Sequence, residues 1–273
     1  WGALCRPGRA VSISRLKGMD GSPQSNGPII DACPGLNILI GRRDPMVVAP
    51  TSAMIFAAGL GTRMGALTRD CPKPMLHLSN RPMVDHSIDY LRSAGLDHLV
   101  ANTHYLHDRI APHLEARGVR TSHEAGEILD TGGGLKAALP LLRPGPVVTM
   151  NPDAAWRGPN PVEVLLSNWS PDIEALLLVV PHKNAIARET PGDFSLTGGH
   201  LSRQGDFVYT GLQVIDPRVL AEIEEPVFSL NRVWDRLIER GALSGAVFPG
   251  QWCDIGHPKG LEIAEALMRG SDV

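Results

Sequence analysis

Short apolar runs alternate with helical spacings from residue 52 to residue 268, and their order predicts an α/β fold. Met54-Ile55-Phe56 reads as the first buried strand, ending at a glycine-rich turn. After Asn80-Arg81-Pro82, Val84, Ile88 and Leu91 fall on one helical face, which Gly95 closes. A strand over His98–Thr103, a helix from Arg109 to Arg117, a brief strand from Val119 to His123 and a helix from Gly134 to Leu142 follow. The strand from Pro146 to Met150 delivers Asn151-Pro152-Asp153. Asn160-Pro161-Val162-Glu163 opens a helix running to Trp169. Unbroken apolar strands are expected at Ala175 to Val180 and Phe207 to Ile215, and Pro217 opens another helix. Ser229 caps an amphipathic helix whose Leu230, Val233, Trp234, Leu237 and Ile238 keep the i, i+3, i+4 spacing, so these are core residues. A helix from Pro258 to Met268 closes the series. Strands separated by helices predict a mixed, mostly parallel sheet flanked by helices.

The turn after the first strand holds the densest chemistry. Ala57-Ala58-Gly59-Leu60-Gly61-Thr62-Arg63 leads to Pro72-Lys73-Pro74. Glycines let backbone approach a ligand closely. Backbone N–H groups and the cations Arg63 and Lys73 are what a triphosphate needs. The spacing excludes a Walker A loop, since no Lys-Ser or Lys-Thr follows the glycines. It also misses the dinucleotide fingerprint, whose third glycine would fall one residue before Gly65.

Phe56 to Pro82 reads FAAGLGTRMGALTRDCPKPMLHLSNRP. It resembles the sugar-1-phosphate nucleotidyltransferase signature over more than twenty consecutive positions, departing at Ala66 and His77, where proline is common. Trp252 to Pro258 resembles the family's W-x-D-[IV]-G-T-P, with His257 in place of Thr. Glu124 to Lys136, EAGEILDTGGGLK, resembles one subgroup, the N-acetylmuramate-1-phosphate uridylyltransferases and their relatives. The resemblance spans about residues 52 to 268 and implies the Rossmann-like nucleotide-diphospho-sugar transferase fold.

It also implies roles. Ala58, Gly59, Gly61, Thr62, Arg63 and Lys73 would bind nucleotide, with Arg63 on the β and γ phosphates and Lys73 on the α-phosphate. Gly132 and Gly133 would contact the base. Asp153, after a buried strand at the carboxyl edge of the sheet, matches the Asp of the family's N-G-D, with Pro152 replacing Gly; it and Asp254 would hold Mg²⁺. Asp70 and Asp85 read as solvated or capping. Asn151, Gly192 and Gly211 would meet the sugar phosphate, the last two within Pro191 to Phe194 and Thr210 to Leu212. The implied partners are an NTP, UTP favoured, and a sugar 1-phosphate, N-acetylmuramate 1-phosphate first, in cell-wall precursor recycling. A guanylyltransferase of mannose 1-phosphate is the alternative; a non-catalytic nucleotide-sugar sensor, favoured by Pro152, is a further one.

Composition changes little. With 273 residues, 43% hydrophobic and 20% charged, the chain suits an ordinary globular protein, expected as a cytoplasmic monomer or small homo-oligomer. A net charge of −3 gives no argument for nucleic acid. No apolar run approaches the about 20 residues of a membrane span. Cys5, Cys33, Cys71 and Cys253 form no C-x-x-C pair, so neither zinc nor a redox motif is indicated. Residues 1–50 are turn-rich, with six basic and three acidic residues, and lack sustained periodicity. They read as a disordered extension or an over-extended start before Met46, leaving residues 51–273 as one nucleotidyltransferase domain without the further C-terminal domain many relatives add.

Overall fold

A computed structural model describes residues 49–270. The readings of the extension, of Met46 and of Cys5 and Cys33 fall on residues outside this range.

Nine strands build the central sheet in the order β10-β11-β13-β8-β12-β6-β1-β4-β5. They are β1 (Ser52–Phe56), β4 (His98–Thr103), β5 (Arg120–His123), β6 (Val147–Met150), β8 (Ala175–Pro181), β10 (Phe194–Thr197), β11 (His200–Arg203), β12 (Phe207–Ile215) and β13 (Leu243–Val247). β6, β1, β4 and β5 run parallel, and β8 pairs in parallel with β13. β12 lies antiparallel between β6 and β8. A second sheet joins β7 (Ala154–Arg157), β14 (Gln251–Asp254) and β9 (Ala185–Ile186), and β2 (His77–Leu78) pairs with β3 (Arg81–Pro82).

Six helices cover the sheet: α1 (Met83–Ser93), α2 (His107–Ala116), α3 (Asp130–Ala138), α4 (Pro161–Ser167), α5 (Leu230–Glu239) and α6 (Pro258–Met268). Val84 and Ile88 of α1, Ile110 of α2 and Leu165 of α4 pack in one core layer. Leu135 of α3 and Val233 and Leu237 of α5 pack in the other. β8 is apolar throughout because its successive residues serve opposite layers: Leu176 and Leu178 one, Leu177 and Val179 the other. The expected caps are present: Asn160 Oδ1 accepts from the Val162 N–H at 2.9 Å, and Ser229 Oγ from the Asn231 N–H at 3.3 Å. Among the described residues no helix is long and apolar enough to cross a membrane.

Three expectations are corrected. The third helix begins at Asp130, four residues before Gly134, and ends at Ala138 before a separate 3-10 turn. Tertiary contact overrides the poor helix propensity of its glycines, because the Gly132 and Gly133 N–H groups donate to the Phe228 carbonyl at 2.9 and 3.0 Å. Pro217 opens only a 3-10 turn, Pro217–Glu222. Asp85 is neither solvated nor a cap: it is 6% exposed and lies 2.8 Å from His113 Nε2 and 3.4 Å from Arg117 Nη1.

Candidate active site

Every strand end named above that was expected to carry chemistry opens on one cleft. From β1 the chain passes Ala57, whose N–H donates to Asn102 Oδ1 of β4 at 2.9 Å. Gly61 then takes φ +64, and a side chain there would press on Lys73 Cβ and Thr68 Cγ2, both 3.0 Å from its Cβ position. This tight passage sets Gly59, Gly61, Thr62, Arg63 and Lys73 around a cavity of 370 Å³, closed on its far side by Pro152, Asp153 and Gly256.

Asp153 and Asp254 arrive from different directions. Asp153 follows β6, and Asp254 ends β14, whose pairing with β7 places Asp254 opposite Ala154. Pro152 does not loosen this arrangement. The Asn151 N–H before it donates to the Gly211 carbonyl at 2.8 Å, and the Asp153 carbonyl after it accepts from the Ile255 N–H at 3.0 Å. The segment is pinned on both sides of the proline, so no ladder bond depends on its missing N–H.

Lys73 Nζ meets Asp153 Oδ2 at 2.5 Å, and its side chain is only 12% exposed. It is therefore no solvated surface lysine. Burial, and then the Asp153 carboxylate, push the Asp254 carboxyl above its ordinary range; Lys73, Arg188 and Arg63 oppose the shift. The two acids thus feel one another directly. Among the described residues no cluster of three or more His, Cys, Asp or Glu could hold a metal by itself.

A second cavity of 320 Å³ adjoins the first. It shares Phe56, Arg63 and Asp153 with the first and is lined further by Asn151, Asp254, Arg188, Asp193, Arg203, Tyr209 and Trp234. Gly211 sits at the irregularity in the β12–β8 pairing with φ +83, and a Cβ there would lie 2.8 Å from that of Asn151. A glycine at this point lets β12 bulge while Asn151 stays close. A third cavity of 210 Å³, beside Ala58 and Gly59, is bounded by Asn102, Ile128, Asp130 and Thr131.

Two sets of site residues have other duties. Gly132 and Gly133 are buried in α3 and line none of these three cavities. A Cβ on Gly132 would come within 2.2 Å of the Phe228 ring, and one on Gly133 within 2.2 Å of the Pro226 carbonyl oxygen. Their N–H groups are spent on Phe228, so they lack the free edge a base contact requires. Gly192 is likewise a packing glycine, its Cβ position 2.2 Å from the Gly205 carbonyl oxygen; the neighbouring Asp193 faces the cavity instead.

The description of the MobA-like NTP transferase domain matches residues 53–245. The chain belongs to this family. Among curated relatives it is similar to the N-acetylmuramate alpha-1-phosphate uridylyltransferase of Caulobacter vibrioides, with 34% identity over 82% of this chain and 99% of that one. The enzyme of the same name in Neisseria meningitidis is 30% identical over 79% and 97%. A mannose-1-phosphate guanyltransferase of Gibberella zeae is 28% identical over 76% of this chain, which spans only 61% of that relative. In fold the NTP transferase resembles the inositol-1-phosphate CTP transferase of T. maritima, with TM-score 0.68 and 18% identity over 83% of this chain and 99% of that one.

Several cavity residues of this NTP transferase escape sequence reading. Arg188 after β9, Arg203 of β11 and Tyr209 of β12 belong to no motif quoted above. Only the Gly198-Gly199 pair, a two-residue hairpin signal, announces β10 and β11 and hence where Arg203 stands. Trp234 is core, as its spacing implies, yet it also walls the second cavity. Glu124 is 5% exposed: its Oε1 accepts from Asn102 Nδ2 at 2.7 Å and its Oε2 from the Leu129 N–H at 2.9 Å. It ties the first loop to the start of α3. The Cys253 thiol is pushed up to about 12, by burial and then by Asp254, which removes it as a nucleophile at neutral pH.

Proposed function

We propose that this NTP transferase makes a nucleotide sugar, transferring uridylyl from UTP to N-acetylmuramate 1-phosphate. The carrying observation is the joint between the first two cavities: Asp153 lines both, its partner Lys73 lines the first and Asp254 lines the second. A phosphorus atom at that joint can be reached by a triphosphate from the loop side and by a sugar phosphate from the other. The choice of uracil and of an acidic sugar draws on the two uridylyltransferase relatives that this chain spans almost end to end.

A phosphate oxygen of the sugar 1-phosphate forms a bond to the α-phosphorus. The bond from that phosphorus to the β-phosphate bridging oxygen breaks, and pyrophosphate leaves with the electron pair. The attacking oxygen is already anionic near neutral pH, so no general base is required. Catalysis then rests on position and charge. Arg63 and the N–H groups of the loop hold the β and γ phosphates. Lys73 turns from Asp153 to the α-phosphate and offsets charge that grows in the transition state.

The carboxylates fit Mg²⁺. Both present hard oxygens, the Asp153 carboxylate adds to burial in pushing the Asp254 carboxyl up, and this ion commonly takes only one or two carboxylates with substrate phosphates and water. When bound by Asp153 and Asp254 it would neutralise charge on the reacting phosphates. The third cavity, between Ala58 and Thr131, is the place for the base, with Asp130 and the main chain at its edge.

A panel of four NTPs against N-acetylmuramate, N-acetylglucosamine, mannose and glucose 1-phosphates, scored by pyrophosphate release, tests the reading. Highest kcat/KM for UTP with N-acetylmuramate 1-phosphate is expected. A best pair of GTP and mannose 1-phosphate would move the chain to the guanylyl reading that the 28% relative supports. Nucleotide-sugar binding without turnover of any pair would make it a sensor.

A further inference from the structure

The sugar-side cavity holds two arginines besides Arg63, in unlike situations. Arg188 belongs to the phosphate end. Its Nη2 donates to Asp193 Oδ1 at 2.8 Å and its Nη1 lies 3.9 Å from Asp254 Oδ2. Both oxygens of Asp193 are committed, the second accepting from the Tyr209 N–H at 2.9 Å. Arg188 is thus balanced by acids within the cleft.

Arg203 stands on the wall made with α5. Its guanidinium lies over the rings of Phe194 and Trp234, 4.9 and 5.8 Å from their centroids. The Nε donates to Asp235 Oδ1 at 2.7 Å. The Nη2 reaches the Asn231 carbonyl and Oδ1 at 3.2 and 3.0 Å. These bonds use one edge of the fork and fix its plane. Among the described residues Nη1 donates to nothing. Asp235 does not line the cavity, and its side chain is 54% exposed, so water screens the charge it sets against Arg203. A stacked guanidinium held in a fixed plane with its Nη1 group unspent is poised to donate to a carboxylate.

We propose that Arg203 is a specificity-determining residue that binds a carboxylate carried on the sugar ring, separate from the anomeric phosphate. This rests on the acidic-sugar reading above. N-acetylmuramate is N-acetylglucosamine bearing a lactyl ether, and the ether's carboxylate is the only charge that distinguishes the two. The cleft reads two anions on one substrate: the phosphate beside Lys73 and Arg188, and the carboxylate at Arg203.

The test compares kcat/KM for N-acetylmuramate 1-phosphate and N-acetylglucosamine 1-phosphate in the full chain, with the panel's best nucleotide. Arg203→Gln keeps most of the stem over Trp234 and removes the charge. It is expected to lower kcat/KM on the acidic sugar by about tenfold to a hundredfold, the scale of a lost charge-assisted hydrogen bond, mainly through KM. The neutral sugar should stay within about twofold, the margin left by a group that meets no charge on that substrate. Arg203→Lys should recover part of the preference. An equal loss on both sugars, or no loss on either, in a variant that melts like the parent overturns the proposal. If Arg203→Gln fails to fold, the same ratio measured in Arg203→Lys decides. A parent enzyme that prefers the neutral sugar removes the acidic-sugar reading and the role of Arg203 with it. A parent that prefers the acidic sugar beside an unchanged variant removes only the role of Arg203.

Discussion

The half of the cleft that we assign to the triphosphate and the half that we assign to the sugar are built in opposite ways. The first is nearly continuous: Phe56 to Pro74, one strand end and the loop leaving it, supplies most of its wall. The second takes Arg188 from beyond β9, Arg203 from β11, Tyr209 from β12 and Trp234 from α5. A loop that must wrap backbone around oxygens is constrained residue by residue. A cavity that must fit one sugar among many needs only a few side chains brought together from anywhere. The common half of the chemistry is therefore local in the chain and the particular half is dispersed.

The largest effect should come from the two carboxylates at the junction of the halves. Asp153→Asn and Asp254→Asn are each expected to lower pyrophosphate release by about a thousandfold or more, since several kcal/mol of charge stabilisation rest on the ion they would hold. Rates with Mg²⁺ varied check this, and near-normal turnover in either variant takes that carboxylate out of the metal site. Lys73→Ala should follow, lowering kcat by on the order of a hundredfold with a smaller change in KM, because its contact strengthens as charge develops. A defect confined to KM would make Lys73 a ground-state binder only.

A third change separates packing from recognition. Gly132→Ala sets a methyl against the Phe228 ring and is expected to cost about 1–3 kcal/mol of stability. Nucleotide KM in the folded fraction should hold. Unaltered melting with a raised KM for the NTP would return Gly132 to the base site.

The smallest effect concerns pH. Burial and the Asp153 carboxylate hold the Asp254 carboxyl above its ordinary range in the chain without Mg²⁺. This shift bears on stability. A carboxyl raised on folding favours its protonated form in the fold, so its contribution is full below the unfolded pKa and is lost as pH rises through the folded one. Asp254→Asn should therefore melt above the parent at neutral pH without Mg²⁺, by roughly 2 °C for a chain of this size. Equal melting across the pH range would show that Lys73, Arg188 and Arg63 already cancel the strain.

What was legible follows from the same contrast. β1, β4, β8 and α5 could be read because apolar period and caps act within a few residues. The cleft residues Arg63, Lys73, Asp153 and Asp254 could be read through motifs of fixed spacing. The packing of Gly132 and Gly133 is not legible, because three glycines after a threonine look the same whether they spare room for a base or for Phe228. Asp85 misled for a similar reason: its partners His113 and Arg117 lie 28 and 32 positions on, outside any local pattern. Arg203 was invisible because its stacking partners Phe194 and Trp234 stand on separate elements.

The backbone ties between residues 129–133 and 226–230 carry a further consequence. The Phe228 N–H donates to the Leu129 carbonyl at 3.2 Å, the Phe228 carbonyl accepts from both glycines of α3, and Thr131 Oγ1 accepts from the Leu230 N–H at 3.0 Å. One side of this clasp borders the place for the base, and the other begins the helix that carries Trp234. A displacement of α5 would therefore pull on the start of α3, and a swap of α5 alone between relatives should disturb the second and third cavities together.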